Sequence, residues 1–571
     1  MFEAAQSRIS DWNPQLVREI KGRWKGRNLS LAVITSLLGQ LLIYFGFRGE
    51  LPSTTHRTSR YCIGTPPADQ LSPHQIHNPP NNYCTDSLVI NWQLWWLDVF
   101  TWVSVVGLII LLVAGIYLLI SDLSKEEQRG TLSFVRLSPR SVVNLLVGKI
   151  LGVPILVYLV LLLALPLHFA SGVAAGIPVS LIVGFYLVTM ASCAFFFSVA
   201  LLYGLVTTGL GTFQAWLGTG VVLFFLFIMT NAGDNNMLVN HNPFDWVALF
   251  YPGRILPYLI GETPHSLGTI GYFNLKEVVG LGWFTFPVWN SAGSAIALLI
   301  LNYAWWTFWA WQGLIRRFRN PHATLMSKQQ SYWFTGSITV SLLGFMYPEI
   351  NGDGSYKTYE LLDNFQLLLS IELIAFLLLI VALSPHRQTL QDWARYRYQK
   401  RNQETRNLFF DLMRGEQSPA TGAIALNLLS NILIITPAIF FFPLGYERFS
   451  LFITLFVTSS AFLVYACIAQ LFLFMKTQKR SIFAIVAVSS VMFLPPIIEG
   501  IFGLYPALGS FAFFPIAASF YSIVPQFSSI LVQWLVIVGF SIQLTRQLKK
   551  AGESSTKALF AKEEKILISH Y

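Results

Sequence analysis

The chain has 571 residues, of which 54% are hydrophobic, 15% aromatic and only 12% charged. Soluble domains carry about 25% charged residues, so these proportions, with a mean hydropathy of +0.55, exclude an ordinary soluble enzyme and point to an integral membrane protein. The net charge of +10 lies in loops beside apolar runs rather than on one face of a soluble domain, which excludes a nucleic-acid-binding footprint.

The first 29 residues are mixed in charge and lack the early apolar core of a cleaved signal peptide, so the first apolar run is expected to remain as a span. Within them, "DWNPQLVREIKGRW" places Trp12, Leu16, Ile20 and Trp24 on one helical stripe, with Arg18, Lys21, Arg23 and Lys25 mostly off it. That pattern predicts an interfacial helix over 1–29, apolar side in lipid and basic side toward anionic headgroups.

Runs of roughly 20 apolar residues then recur along the chain. The first six predicted spans are Ser30–Phe47, Phe100–Ile120, Ile150–Ala170, Val179–Leu202, Thr212–Thr230 and Ser291–Ile315. The second six are Tyr332–Tyr347, Phe365–Leu383, Ile424–Phe442, Phe449–Phe474, Ser481–Ile498 and Ser528–Leu544. Lys and Arg outnumber Asp and Glu in the first 29 residues, in 121–149, 316–328, 385–422 and 476–480, and in the tail from Arg546. The loops between are acidic, as with Glu349, Asp353, Glu360 and Asp363 against Lys357. An even number of spans with both termini cytoplasmic satisfies this alternation. The fold expected is therefore an all-α membrane protein of about twelve helices in two loosely repeated six-helix halves. Residues 30–325 form the first half and 326–571 the second, which ends in a basic cytoplasmic tail.

Each half has a long polar loop after its second span. Each also has a Pro-broken apolar stretch before its last span, "NPFDWVALFYPGRILPYLI" and "YPALGSFAFFPIAASFYSIVP". Such interrupted backbone is tolerated at membrane depth only where protein or water satisfies it, which predicts re-entrant or interfacial helices.

Of the four cysteines, Cys193 and Cys467 lie within spans as small apolar packers. Cys62 and Cys84 share the first outside loop, where an oxidising compartment would join them in a disulfide. His56, His74 and His77 lie nearby without metal-ligand spacing, so no zinc site is expected. The chain lacks a phosphate-cradling P-loop, an H-E-x-x-H and a G-x-S-x-G, so no catalytic residues are assigned. Glu372 is the one carboxylate well inside a span, a functional candidate by position.

The polar segment 121–149 is the most informative. Lys125, Glu126, Glu127 and Arg129 form a charged exit from the second span, Gly130-Thr131 permits a bend, and Leu132, Phe134, Val135 and Leu137 make an apolar cluster too short to span. Ser138-Pro139 ends it, and Arg140 to Lys149 leads back into the third span. This predicts a short helix that either docks on a soluble partner or rests on lipid.

The stretch "EEQRGTLSFVRLSPRSVVNLLVGKIL" resembles the coupling region of type-2 ABC transporter permeases, through Glu126, Gly130, Thr131, Leu132, Ser138, Pro139, Gly148 and Lys149. The second acid of that pattern falls on Gln128, with Glu127 adjacent. Asn13, Pro14, Arg18 and Glu19 resemble the opening segment of such permeases. In the second half, Glu416, Ser418 and Pro419 keep a thinner echo. The resemblance implies an ATP-driven exporter of amphiphilic or hydrophobic cargo in a plasma (inner) membrane. This chain would be its permease subunit, binding no cofactor itself. ATP and Mg would sit on a pair of cytoplasmic ATPase subunits docked on the coupling segments. One chain would supply both membrane halves, a homodimer being the alternative. Rival classes are an ion-coupled secondary transporter of six plus six helices and a non-transporting membrane scaffold.

Overall fold

The computed structural model describes residues 11–52, 59–63, 84, 89–207, 209, 211–234, 241–264, 281–284, 286–347, 358–399, 408–441, 447–502 and 523–568. Among these, the regular structure is helical, with ten helices long and apolar enough to cross a membrane. Contacts divide the chain into two compact units, Met1–Asn240 with Asp245–Arg319, and His241–Phe244 with Asn320–Tyr571.

The first unit contains α1 (Pro14–Arg23), α2 (Gly26–Gly49), α3 (Trp92–Gln128), α4 (Thr131–Arg136), α5 (Val142–Gly152) and α6 (Ile155–Ala174). It continues with α7 (Val179–Val206), α8 (Phe213–Asp234), α9 (Phe244–Ala248), α10 (Leu256–Gly261) and α11 (Ala292–Arg319). Local chemistry sets several of the starts. Asn91 caps α3 by accepting from the Leu94 N–H at 3.0 Å, and Pro178 precedes α7. Gly184 on α7 lies where any Cβ would strike Ile296 on α11. This small residue lets the two backbones approach closely, as packed membrane helices require.

The second unit contains α12 (Lys328–Gly344), α13 (Thr358–Leu383), α14 (Arg387–Gln399), α15 (Leu408–Arg414), α16 (Thr421–Phe441), α17 (Glu447–Leu473), α18 (Arg480–Phe502) and α19 (Ile523–Ile568). Ser327 and Gln330 form a reciprocal capping box at the start of α12. Packing follows a shared pattern. In the first unit α2 packs on α6, α3 on α7, and α7 on α11; in the second α12 packs on α16, α13 on α17, and α17 on α19. In α17 and α19, Thr454 pairs with Gln526 at 3.4 Å and Ser460 with Gln533, so the register ascends in both and the helices run parallel.

The ten membrane-length helices are α2, α3, α6, α7, α8, α13, α16, α17, α18 and α19. The remaining predicted spans, Ser291–Ile315 and Tyr332–Tyr347, are helical as α11 and α12 but are not among the ten. Composition explains both. In α11, Asn302 and the Trp- and Tyr-rich run around it lower the hydropathy of the stretch before Arg316. The 17-residue α12 is short and buries Lys328, Ser331, Thr335 and Thr339.

The first Pro-broken stretch forms α9, a single turn at Pro252–Ile255, and α10. Here Arg254 and Asp245 are both buried and pair at 3.1 Å. The second such stretch lies outside the described residues up to 522.

Cys62 and Cys84 are joined by a disulfide, with 4.8 Å between their Cα atoms, while Cys193 and Cys467 are free. Next to Cys62, Tyr61 donates to Asp98 at 2.9 Å and Arg60 pairs with the same carboxylate at 3.0 Å. The loop is thus anchored to the start of α3. The double variant Cys62→Ser, Cys84→Ser is expected to lose about 3 kcal/mol on loop-closure grounds. The check is a lowered thermal unfolding midpoint in detergent, reproduced by adding reductant to the native protein.

Candidate functional site

The polar segment after α3 is held by a buried charge cluster. At 37 residues, α3 is about 55 Å long against a hydrocarbon core of about 30 Å, so one end must project beyond the lipid. Its last turns carry Asp122, Glu126 and Glu127. Gly130 then takes a left-handed conformation with φ of 69°, open to glycine without strain, and the chain reverses into the six-residue α4.

Lys149, on α5, is 1% exposed. Its ammonium lies 2.8 Å from Asp122, 2.8 Å from Glu126 and 3.7 Å from Glu19. Arg23 pairs with Asp122 at 2.6 Å and also with Glu19. Burial alone would lower the Lys149 ammonium, but the carboxylates of Asp122, Glu126 and Glu19 outweigh it and hold the group above its ordinary value. The three carboxylates approach one another as metal ligands could, but the Lys149 ammonium is the cation among them.

Helix α1 completes the cluster by packing along α5. Asn13 caps α1 through the Leu16 N–H at 3.0 Å and donates to the Asn144 carbonyl at 2.6 Å. A Cβ at Gly148 would lie 2.7 Å from Asn13 Oδ1 and 2.9 Å from the Leu16 nitrogen. Gly148→Val is therefore expected to displace α1 at about 1–3 kcal/mol, the usual range for overpacking. Faster tryptic cleavage at Arg18 and Lys21 checks it. Burial divides the expected apolar stripe. Leu16 is buried, but its buried neighbours are Gln15 and Glu19, whereas Trp12 and Trp24 are exposed.

The sequence-derived coupling residues separate into two sets. Glu126 and Leu132 are buried, Glu127, Thr131 and Ser138 are partly buried, and Gly130 and Pro139 are exposed. Glu126 is thus occupied with Lys149 rather than presented outward. The outward surface displays two large apolar side chains, Phe134 at 75% exposed and Leu137 at 81%, while Leu132 and Val135 hold the other side of α4 inside. Arg136 stacks over Phe318, tying α4 to α11. Beside Phe134 lies a groove of about 410 Å³ bordered by Gln15, Arg18, Ser138 and Arg140.

The second unit repeats this plan with different residues. Ser418 and Pro419 are buried and Glu416 is exposed. The Lys328 ammonium donates to Ser418 Oγ at 2.6 Å and to the carbonyls of Leu412 at 2.7 Å and Pro419 at 2.9 Å. Burial pushes Lys328 down to about 7, a shift that nearby Asp411 only partly opposes. Asp411 also binds Arg397 at 2.6 Å. On α15, Leu408 and Phe410 are about half exposed. Each turn thus anchors on a buried lysine and leaves two large apolar side chains outside.

Sequence reasoning missed Asp122 and the anchoring role of Lys328. An acid about two turns inside the end of an over-long span was the available signal for Asp122. No protein-family model, curated protein or solved structure matches the chain.

Proposed function

We propose that the chain is the permease subunit of an ATP-driven ABC-type transporter, with α4 and α15 as the contacts through which a separate ATPase pair moves the membrane helices. One observation carries this reading: Phe134, on the six-residue α4, and Leu137, at its C-terminal cap, are displayed outward while the other side of the helix is fixed by buried side chains. Exposed apolar side chains on a rigid mount suit a protein groove. A mount fixed to α3 and α5 passes force into the spans rather than absorbing it.

In this reading α11 and α12 complete twelve crossings in two six-helix halves supplied by one chain. The shared packing pattern of the two units supports that count. Both termini and both elbows lie on the cytoplasmic side of a plasma membrane, as the Lys and Arg distribution supports. ATP and Mg belong to the partner. Cargo is amphiphilic or hydrophobic and moves outward, in keeping with spans dominated by Leu, Phe and Trp. The energetic requirement is that the ATPase bind two states of the membrane part with different affinity.

The test is co-purification with ATPase activity. Phe134→Asp with Leu137→Asp is expected to cut the ATPase retained on the purified chain by about tenfold or more, since two desolvated charges at a contact exceed about 1.4 kcal/mol. The buried cluster and thermal stability should be unaffected. Undiminished retention and transport in that variant would overturn the assignment.

A further inference from the structure

In the second unit, one face of α12 is polar along its buried length. Lys328, Ser331, Thr335 and Thr339 are all buried and recur at the three- and four-residue spacing of a single helix face. Helix α16 answers with Asn427 and Asn431, and α13 with Glu372, also buried. These residues form two hydrogen-bonded sets. Ser331 Oγ donates to the Lys328 carbonyl at 2.6 Å and accepts from Asn427 Nδ2 at 2.9 Å. Asn431 Nδ2 donates to Thr339 Oγ1 at 3.0 Å and to Glu372 Oε1 at 2.5 Å. From Lys328 to Thr339 the helix rises about 16 Å, half of a hydrocarbon core of about 30 Å.

Two details leave room on this face for small polar occupants. Asn427 Oδ1 is buried and has no hydrogen-bond partner. A crevice of about 10 Å³, bordered by Thr335, Thr339 and Phe376, opens beside Glu372, which is room for about one water.

The carboxyl itself has neutral neighbours, Asn431 and Thr339. The ionisable residues of the helices around it are Lys328 and Tyr332 on α12, Tyr359, Glu360 and Asp363 on α13, and Glu447, Arg448, Tyr465 and Cys467 on α17. Helix α16 has none. The cations among these, Lys328 and Arg448, stand at helix ends. An unpaired carboxylate buried at this depth is costly, whereas the carboxylic acid is not.

We propose that Glu372 is a proton-binding site and that the polar face of α12, completed by water, is the track along which its proton exchanges with the Lys328 end. On release, the carboxyl O–H bond breaks and a new O–H bond forms on the crevice water. That water passes a proton to the next along the track, and the carboxylate keeps the electron pair. Lys328, whose ammonium is held at this end by Ser418 and the carbonyls of Leu412 and Pro419, takes up and returns protons at the entrance. This inference does not depend on ATPase coupling.

Infrared difference spectroscopy of the purified full chain in lipid vesicles tests it. At neutral pH the native protein is expected to show a protonated-carboxyl C=O band that is missing in Glu372→Gln and shifts on transfer to D₂O. Asn427→Leu and the isosteric Thr335→Val should keep the band but slow that shift about tenfold or more, the effect of losing about 1.4 kcal/mol of polar support along the track. If Asn427→Leu fails to fold, Thr335→Val gives the same reading. Spectra that do not differ between native protein and Glu372→Gln would overturn the proton site. An unslowed shift in the folded track variants would overturn the track.

Discussion

Replacing Lys149 by Met is expected to destabilise the first unit by about 3–5 kcal/mol, the usual loss when one partner leaves a buried charge group. The substitution leaves Glu19, Asp122 and Glu126 facing one another, with Arg23 the closest remaining cation at 2.6 Å from Asp122. Arg18 is farther, 3.8 Å from Glu126. Because the folded state raises the Lys149 ammonium, the stability it contributes is fully present below the ordinary lysine value of about 10.4. It is lost only as the pH rises through the higher folded value. Acidification has the opposite effect on the variant: protonating the orphaned carboxylates relieves their repulsion, so the gap between native and Lys149→Met should narrow as the pH falls. Thermal unfolding midpoints in detergent across a pH series measure both. The elbow should loosen along with the core, since Asp122 and Glu126 sit in the last turns before α4.

Asp245→Ala is expected to cost a similar amount, about 3–5 kcal/mol, because it removes the carboxylate beside the buried Arg254 guanidinium. Arg254 is 4% exposed and also lies over the Trp289 ring at 5.7 Å. That ring stacking is too weak to replace a carboxylate in such a setting. The double variant Asp245→Ala, Arg254→Met should recover much of the loss, since two apolar side chains need no partner. A double-mutant cycle on unfolding midpoints separates the pair from general packing damage. Additive losses would show that the two residues act independently.

The apolar helices were legible because membrane spans advertise themselves by length and hydropathy. Ten of the expected twelve have helices of that character. The two others fall short for reasons the sequence itself carries: Asn302 among the tryptophans of α11, and the short length and polar face of α12. Local periodicity could not foresee the inward place of Glu19 on α1. Trp12 and Trp24 are exposed, as an apolar side toward lipid requires, but Glu19 is drawn inward by Lys149, a partner more than a hundred positions away that no window of neighbours can see. The same limit hid the use of Glu126, which looked like a surface contact and is spent on Lys149. The apolar cluster of α4 was visible, but its division was not. Only the folded chain shows that Leu132 and Val135 turn in while Phe134 and Leu137 remain outside.

Site-specific photocrosslinking from position Leu137, in membranes of cells making the full chain, tests the central claim most directly. The account predicts one major adduct, to an ATP-binding soluble polypeptide, with a yield that changes when a non-hydrolysable ATP analogue is added. Adducts confined to lipid, or to this chain alone, with no response to nucleotide, would contradict it.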